Sequence, residues 1–372
     1  MLVTRDPTFS PFIFLKKSSA DVLKNLFQGK ETGFYGYGRT AMGEGLDMLG
    51  LSSQDTILVP DYICVEAMEP IWKCGLNYQY YPIRIEGLKP DFGRLASLMK
   101  GHVKALLLIH YFGFENCIET VLQMCKENNV VLIEDCAHSF LSRYRSKLLG
   151  TFGDMGLYSF HKLLPTENGG ALCLNKDKMN ERIRRKNLPA LSDDLKIILA
   201  SCLRHLETNW GIPVMDALRF KNKIFFPCGN EKPYTNEISE KTSLCSISKL
   251  ALKIISLGGF DSIVDRRREN YAYLANKIKE VKQIKPIFPL FSGGVCPQVF
   301  PAIAKDRDEL IEYFLKNNIE TYKWPVLPED VSGTEFKDAL FLEHHLLALP
   351  IHQTLKKPHL DFMAHKLRCF YS

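Results

Sequence analysis

Short apolar runs and longer amphipathic stretches alternate through the first half of the chain. Residues 56–59 form a β-branched apolar run closed by Pro60, and residues 77–82 form a second run rich in tyrosine. Residues 104–110 are almost wholly apolar, and residues 130–133 lead into Glu134 and Asp135. Between the last two runs, residues 118–127 carry apolar side chains at 118, 121, 122 and 125. That spacing marks one face of a helix. Short buried strands alternating with helices imply a mostly parallel sheet covered on both faces. In such sheets ligands sit beyond the carboxyl ends of the strands. His110 and Tyr111, like Glu134 and Asp135, fall at such ends.

The pattern changes further on. Residues 176–234 read as helices with weak strand signals, and are basic around Trp210. Residues 243–281 are strongly helical, through Leu244, Ile247, Leu250 and Ala251 and past Arg266, Arg267 and Arg268. A strand-like run at 295–302, a helical run at 306–317 and a strand-like run at 319–324 suit a small α+β domain. The expected fold is therefore α/β: a mostly parallel central sheet with helices on both faces, plus a smaller C-terminal α+β domain. Residues 1–242 would form the large domain, and residues 243–372 the small domain with its linking helix.

Composition narrows the class. Of 372 residues, 46% are hydrophobic and 24% charged, which suits a soluble globular enzyme. The net charge of +6 favours anionic substrates without pointing to nucleic acid, because no basic stripe with interleaved aromatics is present. The basic residues at 182–186 read as a solvated helix face. Eleven cysteines include no C-x-x-C pair, so neither a metal site nor a disulfide scaffold is expected. Scattered, apolar-flanked cysteines such as Cys64, Cys74, Cys136 and Cys173 suggest a reducing compartment. Residues 1–15 lack a basic start followed by an apolar core, and the run at 105–109 is far short of the roughly 20 residues that span a bilayer. A cytoplasmic protein without membrane attachment is expected.

Candidate chemistry concentrates between 131 and 174. A strand ends in Asp135, with His138 three residues on. A Gly-Asp-Met-Gly turn is expected over 153–156, followed by Ser159, Lys162 and the pair Gly169 and Gly170 before another apolar run. Each part alone has an ordinary explanation: Asp135 as a helix cap, Lys162 as a surface amine, the glycines as a turn, His138 as a structural histidine. Together they are the parts a pyridoxal cofactor requires. A lysine amine holds the cofactor and moves a proton, and a carboxylate faces the pyridine nitrogen. A hydroxyl such as that of Ser159 binds the phosphate, and glycines allow close approach of the backbone.

The runs LIEDCAH (132–138), GTFGDMGLYSFHK (150–162) and GGAL (169–172) closely resemble the DegT-type sugar aminotransferases, a group of fold-type-I pyridoxal-phosphate enzymes. The resemblance covers roughly residues 30–360. It implies that Lys162 forms the Schiff base, that Asp135 pairs with the pyridine nitrogen, and that Ser159 binds the phosphate. His138 replaces the family's glutamine at the ring hydroxyl. The run GRTA (38–41) lies at a family helix start, making Arg39 and Thr40 candidates for the phosphate. Cys64 stands where the family has a ring-stacking aromatic, unless Tyr62 swings in. Two further departures are a serine-to-lysine gap of three rather than five, and the tract LLPTEN (163–168) in place of a glycine-rich run.

The resemblance implies an aminotransferase taking its amino group from an amino acid, with glutamate as the expected donor. The implied acceptor is a keto-sugar nucleotide or similar small-molecule substrate, in polysaccharide or glycan biosynthesis. Another pyridoxal reaction, dehydratase or lyase, is the alternative. In the family's dehydratase branch the lysine is a histidine, so Lys162 argues against it, although His161 is adjacent. A non-catalytic regulator on this fold is a third reading, disfavoured because no room precedes the cofactor block for a helix-turn-helix. A homodimer is implied, with residues 234–236 as a source of a partner contact to the phosphate. Trp324 and His352 lie in segments able to face the site, whereas His344 and His345 are expected to be structural or exposed.

Overall fold

The computed structural model describes residues 1–8, 17–166, 168–175, 246–291 and 293–372, together with Leu203 and His205. The expectations for residues 176–234, for residues 234–236, and for a boundary at 242/243 fall outside these described residues.

A seven-stranded sheet carries the first half. Its strands are β1 (Glu31–Tyr35), β2 (Thr56–Pro60), β3 (Asn77–Tyr81), β4 (Val103–Ile109), β5 (Val131–Cys136), β8 (Met155–Ser159) and β9 (Gly170–Leu174), with a small hairpin, β6 (Arg143–Tyr144) and β7 (Lys147–Leu148), between β5 and β8. The spatial order is β1-β9-β8-β5-β4-β2-β3. From β3 to β8 all neighbours are parallel; β9 runs antiparallel to both β8 and β1. Residues 105–108 of β4 are fully buried on both faces, which is why that run showed no alternation. Each leucine so enclosed contributes roughly 1.5–3 kcal/mol.

Helices α1 (Ala20–Leu26), α2 (Gly38–Leu49), α3 (Val65–Lys73), α4 (Phe92–Leu98) and α5 (Ile118–Asn128) lie in the same half. Local signals set several ends. Asp91 caps α4 by accepting from the Arg94 N–H, and Asn129 closes α5 in the left-handed region. The expected single helical tract at 243–281 is two helices, α6 (Lys249–Ile255) and α7 (Phe260–Ile278). Gly258 and Gly259 break it, both at positive φ (+68° and +71°).

A second, antiparallel sheet contains β10 (Ile284–Pro286), β11 (Val299–Ala304), β12 (Tyr322–Lys323) and β13 (Leu346–Pro350), in the order β10-β11-β13-β12. It is accompanied by α8 (Arg307–Lys316), α9 (Lys337–His345) and α10 (Lys357–Phe370). The expected strand at 319–324 shortens to two residues, while its start pairs with the N-terminal segment instead. Val3 donates to the Asn318 carbonyl and accepts from the Glu320 N–H, each at 2.9 Å. The first residues of the chain thus pair, through an isolated bridge from Val3 to Ile319, with the segment that leads into β12.

Candidate active site

The site grows from the two carboxylates that close β5. Glu134 is fully buried, and its oxygens accept backbone N–H bonds from Gly150 (2.8 Å), Phe152 (2.7 Å) and Gly153 (2.6 Å). His110 Nε2 adds a contact at 3.2 Å, its Nδ1 meanwhile accepting from the Asn116 N–H. Asp154 repeats the device one step on, accepting from the Leu132 N–H at 2.8 Å. The run GTFGD is therefore wound around a buried carboxylate. The turn ends at Asp154, not Gly156, because Met155 and Gly156 already belong to β8. A Cβ on Gly156 would lie 2.1 Å from the Gly150 carbonyl, so only glycine fits. His110, Glu134 and Cys136 bring metal-ligand atoms within 4.8 Å of one another. The hydrogen bonds just described already occupy the carboxylate and the histidine.

Asp135 has the opposite surroundings. It is partly exposed, and its Oδ1 accepts one bond, from the Ala137 N–H at 2.8 Å. Burial raises its carboxyl above the usual range, while Lys162 and His110 pull the other way.

Lys162 arrives by a different path. After Ser159 the chain makes one 3-10 turn, 160–162, that carries the lysine to the same end of the sheet. Its Nζ lies 3.0 Å from His138 Nε2 and 4.0 Å from the centre of the Trp324 ring. Burial lowers its pKa, opposed by the nearby Cys64, Asp135 and Glu66. His138 is buried and stacked on Phe112 (5.3 Å, 15°), with Trp324 edge-on at 4.6 Å. Its Nδ1 accepts from the Phe112 N–H at 3.5 Å, which leaves the ring proton on Nε2, facing the lysine. Burial, then the charge of Lys162, holds the imidazole neutral.

The start of α2 forms a third side. Tyr37 is its N-cap and supplies no side-chain cap, and no acidic residue occupies the first turn. Ser159 is a neighbour, for a Cβ on Gly38 would stand 3.6 Å from that of Ser159. Gly170 makes this possible, since a Cβ there would meet the Tyr37 carbonyl carbon at 2.4 Å. The Gly169 and Gly170 pair therefore lets β9 cross the helix start. Thr40 is buried, and the Arg39 guanidinium turns to the Tyr37 ring (4.8 Å) and Glu69 (3.7 Å). Ser159 Oγ meets His161 Nδ1 at 3.1 Å, and burial pushes the His161 imidazole down to about 4.

Cys64 sits at the N-cap of α3, its thiol pushed up to about 12 chiefly by burial. Tyr62 does not turn toward the lysine. It is buried, and its hydroxyl donates to the Trp324 carbonyl at 3.1 Å. Asp135, His138, Cys64 and Lys162 meet at one end of the sheet, and Ser159 joins the helix start that carries Arg39 and Thr40. Trp324, just after β12 of the small sheet and 162 residues along the chain from the lysine, faces the amine; its segment was expected from the sequence to be able to reach the site. His352 is structural: buried, with its ring contacting the Thr4 carbonyl (2.8 Å) and Thr354 Oγ1 (2.9 Å), and forced down to about 3. His345 stacks on Phe341 at 4.2 Å, away from the site. Among the described residues no helix is long and apolar enough to cross a membrane.

Comparisons with known proteins bear on the family and the architecture. The model of the DegT/DnrJ/EryC1/StrS aminotransferase family matches residues 36–368. GDP-perosamine synthase of Escherichia coli O157:H7 is 28% identical over 147 residues, 39% of this chain and 40% of that protein. A dTDP-4-dehydro-2,3,6-trideoxy-D-glucose 4-aminotransferase of Saccharopolyspora spinosa is 29% identical over 154 residues, 41% of this chain and 40% of that protein. The matches thus span about two fifths of these curated relatives. Among solved structures, the aminotransferase TlmJ from Streptoalloteichus hindustanus superposes with a TM-score of 0.72 at 18% identity, covering 99% of this chain and 98% of the other. The E. coli GDP-4-keto-6-deoxy-D-mannose-3-dehydratase with bound hydrated PLP reaches 0.69 at 19% identity, with 99% of each chain covered. The shared architecture is the α/β fold expected from the sequence.

Proposed function

From the premise that this chain belongs to the DegT/DnrJ/EryC1/StrS aminotransferase family, we propose that it is a pyridoxal-phosphate-dependent aminotransferase. It moves an amino group from an amino acid, with glutamate as donor, to the keto group of a nucleotide-linked sugar. The observation that carries this reading is Lys162 itself: a half-buried amine, depressed by burial, 3.0 Å from a neutral imidazole and electrostatically coupled to Asp135.

The residues present fit the cofactor. A helix start whose N-cap residue gives no side-chain cap, beside a serine hydroxyl, suits a phosphate. A carboxylate with one oxygen free of described hydrogen-bond donors suits a pyridinium nitrogen. Bound there, the cofactor supplies an electron-poor ring that stores the electron pair left when a substrate α-proton departs. The chain's own residues do the rest. Lys162 would hold the cofactor covalently and, as a free amine, would take and return the proton at the substrate carbon. Asp135 keeps the ring nitrogen protonated. The backbone amides of Arg39 and Thr40, with Ser159, bind the phosphate, while the Arg39 side chain stays on Tyr37. His138, whose single ring proton faces the lysine nitrogen, would stand where the family's glutamine meets the ring hydroxyl. Trp324 excludes water from one side of the amine. Cys64, smaller than an aromatic, leaves room at the ring face.

Relatives named for GDP- and dTDP-linked sugars support the acceptor class. His161 turns to Ser159 rather than into the lysine's place, which favours amine transfer over dehydration. We also propose a cytoplasmic homodimer. The test is the absorbance spectrum of the purified protein before and after glutamate alone. Loss of the visible band with stoichiometric release of 2-oxoglutarate, both abolished in Lys162→Ala, is the expected result. A band indifferent to every amino donor overturns transamination, and no band with added pyridoxal phosphate overturns the cofactor.

A further inference from the structure

Three costly features occur together behind Lys162. Arg267, on α7, is completely buried, yet no carboxylate pairs with it among the described residues. Asp6 acts on it only as a more distant charge, and a buried cation without a direct ion pair is expensive and needs every donor satisfied. Its partners are neutral. Nη2 donates to the Leu163 carbonyl (3.0 Å), Nη1 to the carbonyls of Gln298 (2.7 Å) and Pro297 (3.2 Å), and Nε to Gln353 Oε1 (2.8 Å). Phe112 holds φ at +55°, a region costly for a residue with a large side chain. Lys162, finally, is a half-buried amine whose Nζ lies against His138 and the Trp324 ring.

These features are joined. The Leu163 carbonyl that Arg267 grips belongs to the residue after the lysine, and Gln353 Nε2 donates to the same oxygen at 3.0 Å. The Gln298 residue that Arg267 also holds donates its N–H to the Phe112 carbonyl at 2.8 Å. The strained conformation of Phe112 turns its own N–H to His138 Nδ1, and His138 Nε2 meets Lys162 Nζ. The path therefore closes: Arg267, Gln298, Phe112, His138, Lys162, Leu163 and back to Arg267. One arm fixes the lysine backbone, and the other fixes the imidazole that faces its amine.

We propose that Arg267 is a positioning residue for the reactive amine, holding Lys162 and His138 in register through this closed ring of hydrogen bonds. A planar fork with rigid donors is what the task needs, because one group must span carbonyls from two segments at once. Gln353 shares the load by bridging the fork and the Leu163 carbonyl. The small domain thereby contributes to the chemistry twice: Trp324 covers the amine, and the Gln298 and Gln353 loops anchor its backbone. The inference rests on Lys162 as the reactive amine and needs no cofactor for its test.

The experiment reads the amine directly. The full chain, freed of aldehyde by dialysis against hydroxylamine, is methylated with formaldehyde and cyanoborohydride across a pH series, and Lys162 is quantified by mass spectrometry. The groups that face the amine, Cys64, Glu66, Asp135, His138 and Trp324, remain unchanged throughout. The wild type should react with a midpoint below that of ordinary lysines. Arg267→Lys keeps the charge but loses the fork, and Gln353→Leu keeps the arginine. Both should raise the midpoint, and near neutral pH the reactive fraction falls about tenfold for every pH unit by which the midpoint rises. Unchanged midpoints in these two variants overturn the proposal, even if melting temperatures fall. A midpoint displaced only in Arg267→Met also overturns it, since that reports a lost field and not a lost position. If an arginine variant does not fold, Gln353→Leu decides alone. Failure of the pyridoxal reading would instead leave these midpoints displaced and remove only the visible band.

Discussion

Glu134 and Asp135 are neighbours on one strand and share a side-chain chemistry, yet they have opposite fates. Glu134 points to the side where the chain turns back, and three backbone N–H groups and a histidine saturate it. Asp135 points to the other side, keeps one hydrogen bond and remains partly exposed. Alternation along a strand makes the difference, sending successive side chains to opposite faces. A saturated carboxylate has no capacity left for a ligand and serves the fold. An unsaturated one in a buried setting costs stability and is available for chemistry.

That contrast is open to test. The largest effect is expected on the open side. Lys162→Ala or Asp135→Asn should lower amine transfer by about 10³-fold or more, the scale of a lost proton-transfer group, with urea unfolding little changed for Asp135→Asn. A large loss of stability in Asp135→Asn would erase the distinction. Glu134→Leu should do the reverse, leaving three buried N–H groups without an acceptor at a cost of about 3–5 kcal/mol in unfolding free energy. A stable, inactive Glu134→Leu protein would place that carboxylate in the site instead.

A third strand-end carboxylate sharpens the comparison through pH. Asp61, after β2, is buried and its carboxyl is raised to about 7, chiefly by burial. The folded protein keeps this proton to higher pH than the unfolded chain does. Stability from this group is therefore present below about pH 4 and is lost as pH rises toward 7, by on the order of 4 kcal/mol at most. Asp61→Asn should flatten that slope in denaturation curves taken between these limits. An unaltered slope would mean that Asp61 is ionised in the fold. The smallest effect belongs to Trp324→Leu. Losing the ring that covers the amine should reduce amine transfer about tenfold, equivalent to about 1.4 kcal/mol of lost apolar cover. Unfolding should change little, because Tyr62 bonds the Trp324 backbone and not its side chain.

The same contrast explains what was legible in the chain. The run LIEDCAH displays both carboxylates but not their roles, because hydrogen-bond saturation is set by where residues 150–154 return. The glycine pair at 169 and 170 reads as a place for close approach; only the fold shows that the approaching group is the start of α2. Tyr62 is a candidate, on sequence, to cover the cofactor ring, but its bond to the Trp324 carbonyl commits it elsewhere.

The sequence by itself determined the parallel sheet, through runs such as 104–110 that are apolar at nearly every position. It determined the cofactor class too, because Asp135, Ser159, Lys162 and the glycine pair lie close together along the chain and their spacing survives as a readable motif. Only the tertiary structure decided the other wall. Trp324, Arg267, Gln298 and Gln353 come from segments far along the chain from Lys162. Contacts at such separations depend on how two sheets pack, and no local periodicity records that. The pairing of the N-terminal segment with residues 318–320 and the ring through Arg267 have the same origin: backbone carbonyls make most of the bonds, and a carbonyl carries no sequence signature.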